Sequence, residues 1–276
     1  MKSVNGKIVL VTGAAMGMGR LYALRAASEG AAALALWDIS ADGLAAVKAE
    51  VEASGVVAHS YVVDVASLDE IRDAAARVIA ELGVPKVLIN NAGVVRSAWF
   101  WEQDSERDTE FTMRINALAP MHITREFLPG MIASGEECRI LNVASAAGTL
   151  SNPRMAVYAA SKWAAIGWSD SLRLELEKAG HRHVRVTTFA PSYIRTGMFE
   201  GARGPVLTPL MDPDYAVRRA WKAMLAGRPM LLLPWSVNLS KVMRGVLPTR
   251  AWDVVGGRWF GVYRSMDEFK GRPPLA

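Results

Sequence analysis

Ile8-Val9-Leu10-Val11-Thr12-Gly13-Ala14-Ala15-Met16-Gly17-Met18-Gly19 is an apolar run that breaks into glycines and passes directly into a segment of helical period. Such a strand, turn and helix let backbone N–H groups approach a pyrophosphate at the positive end of the helix. The glycine spacing is a weak signal alone. The strand before it and the helix after it make it informative. Thr12, Gly13, Met16, Gly17, Met18 and Gly19 are therefore expected to cradle a dinucleotide.

Asp38 closes the next apolar run, Leu36-Trp37-Asp38, about twenty residues after the turn. A carboxylate there accepts hydrogen bonds from both adenosine ribose hydroxyls and repels a 2'-phosphate. Neither Met16 nor Ile39 offers the positive charge that a 2'-phosphate would want. The charges favour NAD over NADP.

Outward from this stretch, apolar runs recur at Lys7 to Val11, Ala32 to Trp37, Val56 to Val63, Lys86 to Ile89, Arg139 to Val143, Val184 to Phe189 and Met230 to Leu233. Segments of helical period begin near Gly17, Ser40, Ser67, Asp104, Met155 and Asp212. Ser40 can cap the helix that follows it, as Asp212 can before Pro213. The alternation implies one α/β, Rossmann-like, doubly wound domain over residues 1–234, with a mainly parallel seven-stranded sheet flanked by helices. The glycine- and proline-rich stretch from Ser192 to Asp214 is expected to overhang the ligand crevice as a mobile lid.

With 276 residues, 51% of them hydrophobic and 21% charged, the chain can bury a core, so disordered and fibrous classes are excluded. Cys138 is the only cysteine, which rules out an intrachain disulfide and fits a cytoplasmic protein. His181 and His183 flank an arginine without a nearby carboxylate and read as a solvated loop pair, so no metal is expected. The amino terminus lacks the pattern of a signal peptide, and no apolar run reaches the roughly 18 residues of a spanning helix.

The formal charge of +5 comes entirely from the last 49 residues: 24 basic and 24 acidic residues precede Arg228, and 8 basic and 3 acidic follow from it. These cations are too dilute for a nucleic-acid tract.

Tyr158-Ala159-Ala160-Ser161-Lys162 opens a helical segment in which Tyr158 and Lys162 share a face. A tyrosine titrates near pKa ~10, so a base working near neutrality needs roughly 4 kcal/mol of help. Lys162 and an oxidised nicotinamide could supply it.

The glycine turn, Asn90-Asn91-Ala92-Gly93, Ser145 and Tyr158 to Lys162, in this order, make the chain similar to the short-chain dehydrogenase/reductase family over about residues 5 to 233. That resemblance implies a catalytic tetrad of Asn116, Ser145, Tyr158 and Lys162. Ser145 would hydrogen-bond the substrate oxygen, Tyr158 would exchange the proton, Lys162 would also hold the nicotinamide ribose, and Asn116 would fix a relay water. The resemblance further implies cofactor contacts at Ile39, Asp64, Val65, Asn91, Ala92, Gly93, Pro191 and Thr196, and a homodimer or homotetramer. Pro191-Ser192 replaces the family's Pro-Gly, which adds a Cβ beside the cofactor.

Residues 235–276 form a helical C-terminal extension in which Leu239, Val242, Met243, Val246 and Leu247 recur at helical spacing, with Trp252, Trp259, Phe260 and Tyr263 beyond. Packing on the domain or a partner subunit, a wall of an apolar pocket, and a weak peripheral membrane contact all remain open for it. The ending resembles that of retinol dehydrogenase and 17-beta-hydroxysteroid dehydrogenase-like members, whose substrates are bulky and apolar, but without the amino-terminal anchor common in the animal proteins. Trp99, Phe100, Trp101 and Met198 or Phe199 could add apolar walls.

The expected function is NAD-dependent interconversion of an apolar alcohol, secondary or bulky primary, and its carbonyl. The alternative is a non-catalytic dinucleotide-binding or redox-sensing protein on the same fold.

Overall fold

The computed structural model describes residues 1–271; the end of the extension, residues 272–276, lies outside the described residues. The chain begins β1 (Ile8–Thr12), α1 (Gly17–Ser28), β2 (Ala33–Asp38), α2 (Ala41–Glu52), β3 (Val57–Val62), α3 (Leu68–Glu81) and β4 (Val87–Asn90). A long irregular helical stretch follows, in which π-type turns at Ser105–Glu110 and Arg114–Leu118 flank α4 (Phe111–Met113) and lead into α5 (Ala119–Ala133). Then come β5 (Cys138–Val143), α6 (Ala156–Lys178), β6 (Val184–Pro191), α7 (Pro213–Ala226), β7 (Met230–Leu233), α8 (Trp235–Val246) and α9 (Thr249–Trp252).

The seven strands pair in the order β3-β2-β1-β4-β5-β6-β7, every pair parallel. Successive side chains of a strand point to opposite faces. Val9 and Val11 thus pack with Tyr22 of α1 and Trp221 of α7 on one face, while Leu10 packs with Phe127 and Met131 of α5 on the other. Both faces of the central strands are covered, so their sequences read as continuous apolar runs. The strand order reverses between β1 and β4, which opens a crevice at the carboxyl ends of those strands.

The helix starts follow their capping chemistry. Ser40 Oγ accepts from the Gly43 N–H at 3.2 Å, and Asp212 Oδ1 accepts from the Tyr215 N–H at 3.0 Å, with Pro213 opening α7.

Two parts depart from expectation. The loop from Ser192 to Asp214 is not a free overhang: Val206 N donates to Phe260 O, Arg203 N to Ser265 O and Lys270 N to Glu200 O, each at 2.9 Å. Gly201, at φ +81°, has no room for a Cβ against the Glu268 carbonyl, which lets the two segments run this close. The apolar stripe of α8 also divides. Met243 and Leu247 are half-buried, Met243 on a pocket wall, whereas Leu239, Val242 and Val246 are exposed, with Leu239 at the edge of the same pocket.

Candidate active site

The glycine turn sits at the crevice and is fastened to β4. Thr12 Oγ1 donates to the Ile89 carbonyl at 3.4 Å and accepts from the Asn91 and Ala92 N–H groups, both at 3.0 Å. Asn91 Nδ2 returns bonds to the carbonyls of Thr12 (3.0 Å) and Gly13 (3.2 Å). A Cβ on Gly13 would lie 2.9 Å from Ala92 Cα, and one on Gly19 would overlap the Gly13 carbonyl oxygen. Gly17 adopts φ +54° and faces the Thr196 side chain. The first turn of α1 carries no acidic side chain. This tight turn at a helix N-terminus, with Gly13, Gly17 and Gly19 keeping the backbone accessible and no acidic side chain in the first helical turn, fits a pyrophosphate. Met18 packs partly buried against the core beneath it.

At the end of β2, Asp38 Oδ2 accepts from Ala15 N and Oδ1 from Ser40 N, each at 3.0 Å, so its carboxylate is fixed beside the turn. Ile39 next to it is exposed. After β3, Asp64 Oδ1 accepts from Ala66 N at 2.9 Å, and Val65 between them is buried. Pro191 ends β6, and Ser192 N donates to Leu233 O at 2.8 Å. Arg154 and Leu207 are the non-glycine residues with positive φ among those described, so Ser192 replaces the usual glycine without left-handed backbone.

Asn116 lies in the π-type turn Arg114–Leu118, a local widening of the helix that recurs at functional sites. Its Oδ1 accepts from Val94 N at 2.9 Å, and its Nδ2 donates to Val94 O at 2.9 Å and to Ser161 Oγ at 3.1 Å. The side chain therefore staples the loop after β4 to α6. Lys162 Nζ donates to the Val143 carbonyl at 3.2 Å, lies 5.8 Å from the centre of the Tyr158 ring, and faces the Cβ-less side of Gly93. Ser145 Oγ accepts from Ala147 N at 3.2 Å.

Tyr158 and Lys162 are both buried. Burial pushes the Tyr158 hydroxyl up to about 12, with a Ser145 hydrogen bond opposing the shift and the Tyr193 hydroxyl adding to it. Burial pushes the Lys162 ammonium down to about 8. The expected depression of Tyr158 by Lys162 is thus absent from the protein's own groups: desolvation wins, and the ammonium bonds the Val143 carbonyl instead.

Beside Ser145 opens a cavity of about 80 Å³. Tyr193 and Phe199 line its inner end, and Leu239, Met243, Trp252 and Phe260 of the extension form much of its wall. Phe199 meets the Tyr158 ring edge-on at 6.2 Å. Of the other apolar walls expected, Trp99, Phe100 and Trp101 instead lie exposed, Trp99 and Trp101 stacked at 5.2 Å, and Met198 stays off the lining.

Sequence reasoning singled out Asn90 within its Asn-Asn-Ala-Gly segment but missed the buried polar group around it, and missed a second group entirely. Asn90 Nδ2 donates to Thr124 Oγ1 and Asn142 Oδ1, Asn142 Nδ2 donates to Ser169 Oγ, and Ser169 pairs with Thr188. Asn90, Asn142 and Thr188 are register neighbours, so polar residues at matching offsets in three apolar strands were the available signal. The second group, Asn152, Tyr193 and Ser265, joins residues 113 apart and left no local trace.

The family model described as short chain dehydrogenase matches residues 7–205, which include the glycine turn, Asn116, Ser145, Tyr158 and Lys162. The chain belongs to the short chain dehydrogenase family. Among relatives of this oxidoreductase family, estradiol 17-beta-dehydrogenase 11 of Pongo abelii is 37% identical over 250 residues, 90% of this chain and 82% of that protein. Epidermal retinol dehydrogenase 2 of Mus musculus is 32% identical over 274 residues, 98% of this chain and 87% of that protein. A short chain dehydrogenase/reductase from Burkholderia phymatum, solved in complex with NAD, shares the fold at a TM-score of 0.81 and 24% identity, with both chains fully covered. A metagenomic short-chain oxidoreductase in complex with NADP aligns at a TM-score of 0.69 and 30% identity over 83% of this chain and 96% of that one. These short chain dehydrogenases thus include one structure with each dinucleotide.

Proposed function

We propose that this short chain dehydrogenase is an NAD-dependent enzyme interconverting an apolar alcohol, secondary or bulky primary, and its carbonyl, with Tyr158 as general acid and base. The observation that carries the reading is the buried Tyr158 grouped with Ser145 and Lys162, with Ser145 and the Tyr158 neighbour Phe199 both lining an apolar cavity.

The residues present fit a dinucleotide: the glycine turn would take the pyrophosphate, and the fixed Asp38 carboxylate the adenosine ribose hydroxyls, with Ile39, Asp64 and Val65 at the adenine end. Asp38 places negative charge where a 2'-phosphate would lie, which supports NAD. Asn91, Ala92, Gly93, Pro191 and Thr196 would border the nicotinamide half. When bound, an oxidised nicotinamide supplies the hydride acceptor and a positive charge.

The chain's own residues then handle the oxygen and its proton. Ser145 donates a hydrogen bond to the substrate oxygen, and Tyr158 takes the hydroxyl proton during oxidation or returns it during reduction. Lys162, at about 8, is still protonated near neutral pH, so its charge together with that of a bound oxidised nicotinamide would have to offset the desolvation that raises Tyr158. Asn116, by pinning Val94 and Ser161, holds the floor beneath both.

Division of labour at residue 234 belongs to this reading, residues 1–234 for cofactor and catalysis and the extension for the pocket wall. The single, buried free Cys138 supports a cytoplasmic location, and the family resemblance supports a homodimer or homotetramer. Among the described residues no helix is long and apolar enough to cross a membrane.

Tyr158→Phe tests the assignment. Turnover should fall by about two to four orders of magnitude while NADH still binds. A variant that kept near-normal turnover would remove Tyr158 from the mechanism.

A further inference from the structure

Trp235, Leu239, Val242 and Val246 stand at steps of four, three and four along α8 and so share one face of it. That face points outward: the four side chains are 64%, 43%, 62% and 77% exposed. A stripe of this kind needs an occupant. Its surroundings specify one. Between Trp235 and Phe260 the sequence carries Lys241, Arg244, Arg250 and Arg258 against a single acid, Asp253, whose carboxylate already accepts from the Tyr263 hydroxyl. Lys241, Arg250 and Arg258 are exposed. Lys241 shares a surface groove with Val242 and Val246, and Arg258 adjoins the exposed Trp259, so free positive charge borders the apolar surface while Arg244 turns toward Tyr263 and Asp253. An anionic lipid surface complements both the apolar stripe and its charge.

The same face opens onto the cavity beside Ser145. Leu239 belongs to the stripe and lines that cavity, as do the exposed Val206 and Leu207. Val206 N is bonded to Phe260 O, next to Trp259, which is 72% exposed. We propose that the outer face of α8 and the Val206-Leu207 tip dock on an anionic bilayer, so that an apolar alcohol or ketone enters the pocket from lipid rather than from water. The delivery step rests on the pocket being the substrate site; the docking itself does not.

The full chain is floated with phosphatidylcholine vesicles, with and without roughly one-third phosphatidylglycerol, beside a Val242→Asp, Val246→Asp double variant whose changes lie off the cavity lining. The wild type should float with the anionic vesicles, lose them near about 1 M salt, and partition at least about tenfold better than the variant. No flotation on anionic vesicles, or equal flotation of the variant, overturns the docking. So does a lipid-free dimer that the double variant converts to a monomer, since the stripe would then be covered by a second copy. Turnover of a panel of bulky apolar alcohols, solubilised without lipid, by both proteins is read separately: its absence refutes the pocket assignment, while the flotation result alone decides the docking.

Discussion

Replacing Lys162 by methionine should stabilise the protein while abolishing its activity. The ammonium is buried, and burial alone lowers its pKa from the ordinary 10.5 to about 8. Between these values the unfolded chain holds a proton that the folded chain releases, so stability rises with pH across that window and the penalty is full below about 8. Near pH ~7 the penalty is about 3 kcal/mol, because every pH unit that separates the folded from the unfolded titration is worth roughly 1.4 kcal/mol. Methionine has a similar length and no charge, but it leaves the Val143 carbonyl without the bond it receives at 3.2 Å, a loss of about 1 kcal/mol. The net expectation is a gain of about 2 kcal/mol. By pH ~9.5 the wild-type penalty shrinks to about 1 kcal/mol, so the advantage of the variant should nearly vanish. Urea unfolding at the two pH values reads both contributions. A Lys162→Met protein less stable than wild type near neutrality, or a gap that did not change with pH, would show that the buried ammonium is compensated in a way the structure does not contain.

Other perturbations probe the cofactor half of the site. Asp38→Ala should lower the preference for NAD over NADP, measured as the ratio of kcat/KM values, by at least about tenfold, because it removes charge-assisted hydrogen bonds and the repulsion of a 2'-phosphate together. Gly19→Ala places a methyl group on the Gly13 carbonyl, which is backbone and cannot swing aside. It should cost about 3 kcal/mol in urea unfolding and abolish NADH binding by fluorescence. Gly167→Ala, where a Cβ meets nothing within 4 Å in a helix interior, serves as its control and should be neutral or slightly stabilising.

The parallel sheet was legible because its central strands are buried on both faces and carry little besides apolar residues. The strand runs near Ile8, Ala33, Val87 and Cys138 consequently matched the structure within a residue or two. The caps at Ser40 and Asp212 were legible for a local reason, since each bond spans three residues. The glycine turn and the Tyr158 to Lys162 pair also lie within short stretches, and the structure brings both to the carboxyl ends of the central strands. What escaped was set by contacts between distant segments. Tyr158 moves up rather than down because the enclosing walls desolvate it, and no four-residue spacing encodes burial. The lid is tied because residues 260–271 return to residues 199–206, a pairing without a local signature. The α8 stripe had the period of a packed helix, yet of its five residues only Met243 and Leu247 are half-buried and Leu239, Val242 and Val246 are exposed, because periodicity identifies a face and not what meets it.

NAD-linked oxidation of an apolar alcohol at the Tyr158 hydroxyl is tested most directly by incubating the purified protein with NAD or NADP and a panel of steroid, retinoid, aryl and aliphatic alcohols, following reduced-nicotinamide absorbance. Turnover with NAD, stronger than with NADP, is expected on bulky apolar alcohols. Tight NADH binding with no turnover of any alcohol or of the matching carbonyls would contradict that chemistry and leave a dinucleotide-binding protein that senses rather than catalyses.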